Sequence, residues 1–107
     1  MNINKEQDII SSNPIKNKIN IIRNNPVIID KDIANLYNIS TKALNQAIKR
    51  NRERFPKDFM FQITSREKEK LVTNCDRLQT LKFSTTNPFA FTEQGIAMLS
   101  GILRIKK

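Results

Sequence analysis

The stretch from Ile29 to Arg52, IDKDIANLYNISTKALNQAIKRNR, constrains the fold more than any other part of the chain. Ile33, Ala34 and Tyr37 recur at helical spacing, as do Leu44, Ala47 and Ile48 further on. Only Asn38, Ile39 and Ser40 lie between the two runs, so two short helices joined by a three-residue turn are predicted, about Lys31–Tyr37 and Thr41–Arg52. Asn38 is the non-glycine residue type that best tolerates a left-handed backbone, and Ser40 or Thr41 can cap the helix that follows. Asp30 stands where the first helix needs an N-cap. Ala34 is small where the helices approach, and Ile39 fills the turn.

The other elements brace this pair. At 107 residues and 38% hydrophobic content the chain can bury one modest core, so one domain is expected over 18–107, preceded by a polar, flexible arm over 1–17. Ile19–Ile22 and Val27–Ile29 flank RNNP and predict a small hairpin. In DFMFQIT, alternation puts Phe59, Phe61 and Ile63 on one strand face, after Phe55 and Pro56 have sealed the end of the second helix. Thr64 and Glu67 have the spacing of a capping box for a third helix running to about Thr73. Residues 74–88 lack periodicity and read as a loop with a short strand near Leu81–Phe83. Phe89–Phe91 is a further strand, and Thr92 caps a last helix whose Ile96, Leu99, Ile102 and Leu103 share a face. The fold class is therefore α+β: a helix-turn-helix, winged-helix-like core braced by short β-hairpins, with a C-terminal helix. The chain stops at Lys107, a few residues past that helix, as a shortened chain or a minimal one-domain protein would.

Charge narrows the partner. With 19 Lys+Arg against 10 Asp+Glu the formal net charge is +9, which points to an anionic partner. Frequent Ile, Asn and Lys suggest AT-rich coding, so clustering is a better clue than the total. Lys42, Lys49, Arg50, Arg52, Arg54 and Lys57 fall within Thr41–Phe59, beside only Glu53 and Asp58. No apolar run is long enough for a bilayer span, and the N-terminus lacks a signal peptide's apolar core. One cysteine, Cys75, and no histidine remove an intrachain disulfide and the commonest acid/base and metal-binding residue, which fits a reducing cytoplasm and no enzyme. Asp30 and Asp32 are explained by helix capping, with no third carboxylate placed to complete a metal site, and no cofactor is expected.

With the apolar stripe buried, the second helix turns Lys42, Asn45, Gln46 and Lys49 outward, with Arg52 beyond them. Asn and Gln can bond adenine twice in the major groove and Lys can reach guanine, so Asn45, Gln46 and Lys49 are the base-reading candidates. Arg50, Arg52 and Arg54 suit phosphates, and Thr41 and Lys57 complete the DNA-binding set. Phe59, Phe61, Phe89 and Phe91 are read as core residues, and Glu93 and Gln94 as first-turn helix residues.

These residues also carry a resemblance. DKDIANLY at Asp30–Tyr37, TKALNQAIKRN at Thr41–Asn51, RFPKDFMFQ at Arg54–Gln62 and AFTEQGIAMLS at Ala90–Ser100 closely resemble the phage "ORF-six N-terminal" domain, grouped with the KilA-N and Bro-N domains of phages and large DNA viruses. The resemblance covers roughly Ile19–Arg104. It departs from such sequences at Asn38, where they often have glycine, and around Asn74–Asn87, which matches no motif of the family. It implies the DNA-binding domain of a phage or prophage transcriptional regulator, often of antirepressor type, usually followed by a separate C-terminal domain. Double-stranded DNA in the bacterial host cytoplasm is then the expected partner. The alternative is a protein-interaction module that seizes a repressor or other acidic partner, and a homodimer is compatible with either.

Overall fold

The structure, a computed structural model, describes residues 18–74 and 76–103. The expected arm over 1–17 and the end of the chain from 104 lie outside the described residues. The strands are β1 (Asn20–Ile22), β2 (Asn25–Ile29), β3 (Met60–Gln62) and β4 (Phe89–Phe91). The helices are α1 (Asp30–Tyr37), α2 (Thr41–Arg50), α3 (Ser65–Asn74) and α4 (Glu93–Leu103), with 3-10 segments at Arg52–Arg54 and Asp76–Phe83. The fold is α+β, and its strands form one antiparallel sheet in the order β1-β2-β4-β3.

The hairpin is tighter than RNNP suggested. Arg23 and Asn24 alone form its loop, both at positive φ (56° and 65°), the geometry whose twist matches paired strands. Pro26 is therefore in the strand, opposite Ile21. Ile22 and Asn25 flank the turn as a bonded pair, so Pro26 sits at a non-bonded position where its missing N–H costs the β1 ladder nothing.

The sheet is apolar on both faces. Ile28, Met60 and Phe91 point to one side, where they meet Ile33 and Ala34 of α1, Leu44 and Ile48 of α2, Phe55, and Leu99 and Leu103 of α4. Val27, Ile29 and Ala90 point to the other and pack with Ile22, Ile63, Leu71 and Leu78. A strand buried on both faces reads as a continuous apolar run, which is what Val27–Ile29 shows. The same fact splits the face expected for Phe59, Phe61 and Ile63. Phe61 and Ile63 belong to the second core, whereas Phe59 precedes the strand and packs against the first. The amides of Phe59 and Met60 both donate to the Pro56 carbonyl, at 2.8 and 3.1 Å, and this turn reorients the chain before β3 begins.

The capping box forms as expected. Thr64 N donates to Glu67 Oε1 at 2.7 Å and Glu67 N donates to Thr64 Oγ1 at 3.1 Å, which satisfies two amides that the start of α3 would otherwise leave open. In place of a strand near Leu81–Phe83 there is the 3-10 run Asp76–Phe83, which packs on α3 and seats Leu78, fully buried, in the second core. Periodicity fails there because a 3-10 turn repeats every three residues and matches neither the helical nor the strand pattern.

Thr92 opens α4, with Gly95 N donating to its Oγ1 at 3.4 Å, and the hydroxyl itself donates to the Asp58 carbonyl at 2.7 Å. Thr92 N donates to the Phe59 carbonyl at 3.0 Å, so the start of α4 lies hard against the turn before β3. Gly95 permits that approach: a Cβ there would run into the Phe59 carbonyl. The expected apolar face of α4 is present, with Leu99 and Leu103 buried and Ile96 and Ile102 packed at the rim. The Ser100 hydroxyl donates to the Ile96 carbonyl at 3.1 Å and its oxygen accepts from the Tyr37 hydroxyl at 3.0 Å, tying α4 to the end of α1.

Candidate nucleic-acid interface

The turn between α1 and α2 sets the angle at which α2 is displayed. Asn38 is left-handed (φ 60°, ψ 41°), as the sequence predicted. Ile39 N reaches back to the Ala34 carbonyl at 3.0 Å and Asn38 N to the Asn35 carbonyl at 3.1 Å, the Schellman pattern that closes a helix on a left-handed residue. Ser40 then caps α2 by accepting Ala43 N at 3.0 Å. Leu44 and Ile48 anchor the inner side of α2 in the first core, with Ala47 packed beside them.

The outer side is basic. Lys42, Gln46, Lys49 and Arg50 are all exposed, and Ala43 with them. The helix ends two residues earlier than expected: the Asn51 amide side chain bonds the Ala47 carbonyl at 2.9 Å, and the chain tightens into the 3-10 turn that carries Arg52 and Arg54. Those two and Lys57 are exposed as well. Among the described residues none of these six cations is paired with a carboxylate, although Glu53 and Asp58 lie in the same segment. Phe55 is buried between them, edge-on to Phe91 with ring centroids 6.1 Å apart, and fixes the turn to the core. Pro56 stays exposed and contributes its carbonyl instead of sealing the helix end.

Asn45 and Thr41 are placed differently from their neighbours. Both are half-buried and line a cleft of about 270 Å3 whose other wall is Ser84, Thr86, Asn87 and Pro88, with Asp30 and Lys31 also lining it. Asp30 is the first residue of α1, and Ile29 occupies the cap position without a side-chain bond, so the expected N-cap is displaced by one residue. Its carboxylate takes the Phe89 amide at 3.2 Å, across to β4. Burial pushes the Asp30 carboxyl above its usual range, against the pull of the amides of Phe89 and Lys31. Asp32 is also buried. Sequence reasoning explained both aspartates by helix capping, and no periodicity distinguishes an aspartate in a first turn from one that crosses to a neighbouring strand. It also missed the Ser84–Pro88 wall, which lies in the aperiodic segment.

The sequence matches the ORF6N domain family over residues 17–102. No curated protein and no solved structure matches it. No helix of the described residues is long and apolar enough to cross a membrane.

Proposed function

The chain belongs to the ORF6N domain family, a family of phage-type regulatory domains, and on that premise we propose that it binds double-stranded DNA, with α1 and α2 serving as a helix-turn-helix and α2 as its reading helix. One observation carries the reading. Six cations between Lys42 and Lys57 are exposed and without carboxylate partners, on a helix and turn locked to the core by Leu44, Ile48 and Phe55. Like charges held together on a rigid surface repel one another, and a polyanion relieves that repulsion while releasing its counterions. Gln46 and Lys49 then face base edges, Asn45 reaches them from the cleft side, and Lys42, Arg50, Arg52, Arg54 and Lys57 grip phosphates, with Thr41 at the helix start. The setting is transcriptional control in a phage or prophage, of antirepressor type, in the cytoplasm of the host cell.

Titration of labelled duplex DNA against salt tests this. For four to six phosphate contacts, log affinity should fall against log salt with a slope of about −4 to −5. A flat response would overturn the DNA reading and assign the basic surface to a protein partner such as a repressor. Selection from random duplexes then decides whether the binding is sequence-specific.

A further inference from the structure

The loop that faces α2 across the cleft lies apart from the basic segment Lys42–Lys57 in the sequence. Ser84, Thr85 and Thr86 are exposed, yet the loop is held from several sides. The Ser84 hydroxyl donates to the Thr86 carbonyl at 2.9 Å and its oxygen accepts Thr86 N at 3.2 Å, a closed local turn. Lys68 Nζ donates to the Ser84 carbonyl at 3.0 Å, Gln62 Nε2 to the Asn87 carbonyl at 2.9 Å, and Ile63 N to the Pro88 carbonyl at 3.0 Å. The loop is thereby fixed to α3 and to β3. The hydroxyls of Thr85 and Thr86, in contrast, make no hydrogen bond among the described residues. Lys31, on the same cleft, spends one donor on Thr80 Oγ1 at 2.7 Å and keeps the rest of its ammonium.

We infer that the Ser84–Asn87 loop is a second DNA-contacting element, which grips the sugar-phosphate backbone beside the bases read by α2 through the Thr85 and Thr86 hydroxyls, with Lys31 at the cleft edge. The inference rests on the DNA reading above. Hydroxyl donors with one ammonium suit a phosphodiester, and they carry no sequence information of their own. The floor of the cleft holds the Asp30 carboxylate, so an anion has no seat there and the phosphate contact falls on the rim. Pre-fixing the loop matters because a mobile one would lose ordering entropy on every binding event.

The test is the double variant Thr85→Ala/Thr86→Ala of the full chain, with hydroxyl-radical footprinting and salt titration on duplex DNA. Neither hydroxyl supports the fold, so melting should match wild type. Affinity should fall roughly three- to tenfold, as for one or two lost hydrogen bonds, and by the same factor on selected and random duplexes. The salt slope should stay unchanged because hydroxyls displace no counterions, whereas Lys31→Ala should lower it by about 1. The footprint should lose backbone protection at one edge and keep it elsewhere. Unchanged affinity and footprint in the double variant overturn the loop's role and leave α2 as the reader. Failure of the wild-type chain to bind duplex DNA overturns both.

Discussion

The two faces of the sheet are covered by unlike means. On one, α1, α2 and α4 present apolar stripes at regular spacing, and the six cations from Lys42 to Lys57, on the outer side of α2 and the turn after it, are left without carboxylate partners among the described residues. On the other, α3 and a 3-10 run bury fewer side chains, and charge is used to fasten the cover. Arg23, at the hairpin tip, meets Glu67 through two bonds of 2.8 and 3.1 Å, and its guanidinium stacks over the Phe61 ring at 4.2 Å. The same Glu67 oxygen that closes the capping box receives the longer of these two bonds. Paired charge therefore marks where this fold is held together, and clustered unpaired charge marks the surface proposed to meet DNA.

The largest effects should test whether the second face is as much a part of the fold as the first. Leu44 and Leu78 are both fully buried, one under the helix pair and one under the 3-10 run. Leu44→Ala and Leu78→Ala should each cost about 2 to 5 kcal/mol in urea unfolding. A harmless Leu78→Ala would make the 3-10 cover dispensable and collapse the comparison. Next comes the seam between α4 and the turn before β3. Gly→Ala inside a helix is ordinarily stabilising by about 0.5 to 1 kcal/mol, and Gly101, with nothing near its missing Cβ, should behave so. Gly95→Ala should reverse the sign and cost about 1 to 3 kcal/mol or more, because rigid backbone at Phe59 stands in the way.

The unpaired surface should respond in binding and not in melting. On a selected duplex Gln46→Ala should cost about 1 to 3 kcal/mol and leave random DNA nearly unaffected, whereas Arg52→Ala and Arg54→Ala should weaken both alike and lower the salt slope by about 1 each. All three are exposed, so a shifted melting temperature in either arginine variant would mean that its charge is structural after all. Asn38 joins the two kinds of region, since its backbone sets how α2 is displayed. Asn38→Gly should be tolerated, and Asn38→Val should cost about 1 to 2 kcal/mol, because a β-branched side chain is strained at φ 60°. Equal melting of the two variants would remove the left-handed turn from the account.

The first face was legible because its cover is made of α-helices, whose stripes and caps are local: Ile33, Ala34, Leu44, Ile48, Asn38 and Ser40 all lie where their spacing placed them. The capping box of α3 was legible for the same reason, being a bond between residues three apart. The rest depends on partners distant in sequence. Asp30 has the composition of a cap and becomes a cross-link because β4 arrives beside it with an unsatisfied Phe89 amide. Leu78 looked like a loop residue because 3-10 geometry leaves no α or β period. Asn45 follows the outward arc of α2, and only the Ser84–Pro88 wall turns that position into a cleft. The six cations were visible in composition, but their lack of partners could be seen only once Glu53, Asp58 and Glu67 had been placed.

The smallest effect isolates the fastening charge itself. The Arg23 guanidinium, first, and the amide of Thr64 hold the Glu67 carboxyl below its usual range, although partial burial opposes them. A carboxyl lowered in the folded state contributes stability that is fully present above its unfolded value, near 4.5, and is lost as pH falls through the folded one. Asp30, raised by burial, acts in the opposite sense: its burial disfavours the folded state only once pH rises past its unfolded value near 3.8, so acid relieves it. A bare acid titration would mix the two. Glu67→Gln separates them, because glutamine keeps the oxygen that the Thr64 amide needs and replaces the one that accepts Arg23 Nε, so that the charge and that bond to Arg23 are lost together while the cap remains. Wild type should melt slightly above Glu67→Gln at neutral pH, and the gap should close as pH drops below about 4.5, with Asp30 contributing equally to both curves. No gap at neutral pH would mean that Glu67 acts through packing and the cap alone. In that case Arg23 would hold the second face by its stacking on Phe61, and pairing would no longer distinguish the charges that build this fold from those it displays.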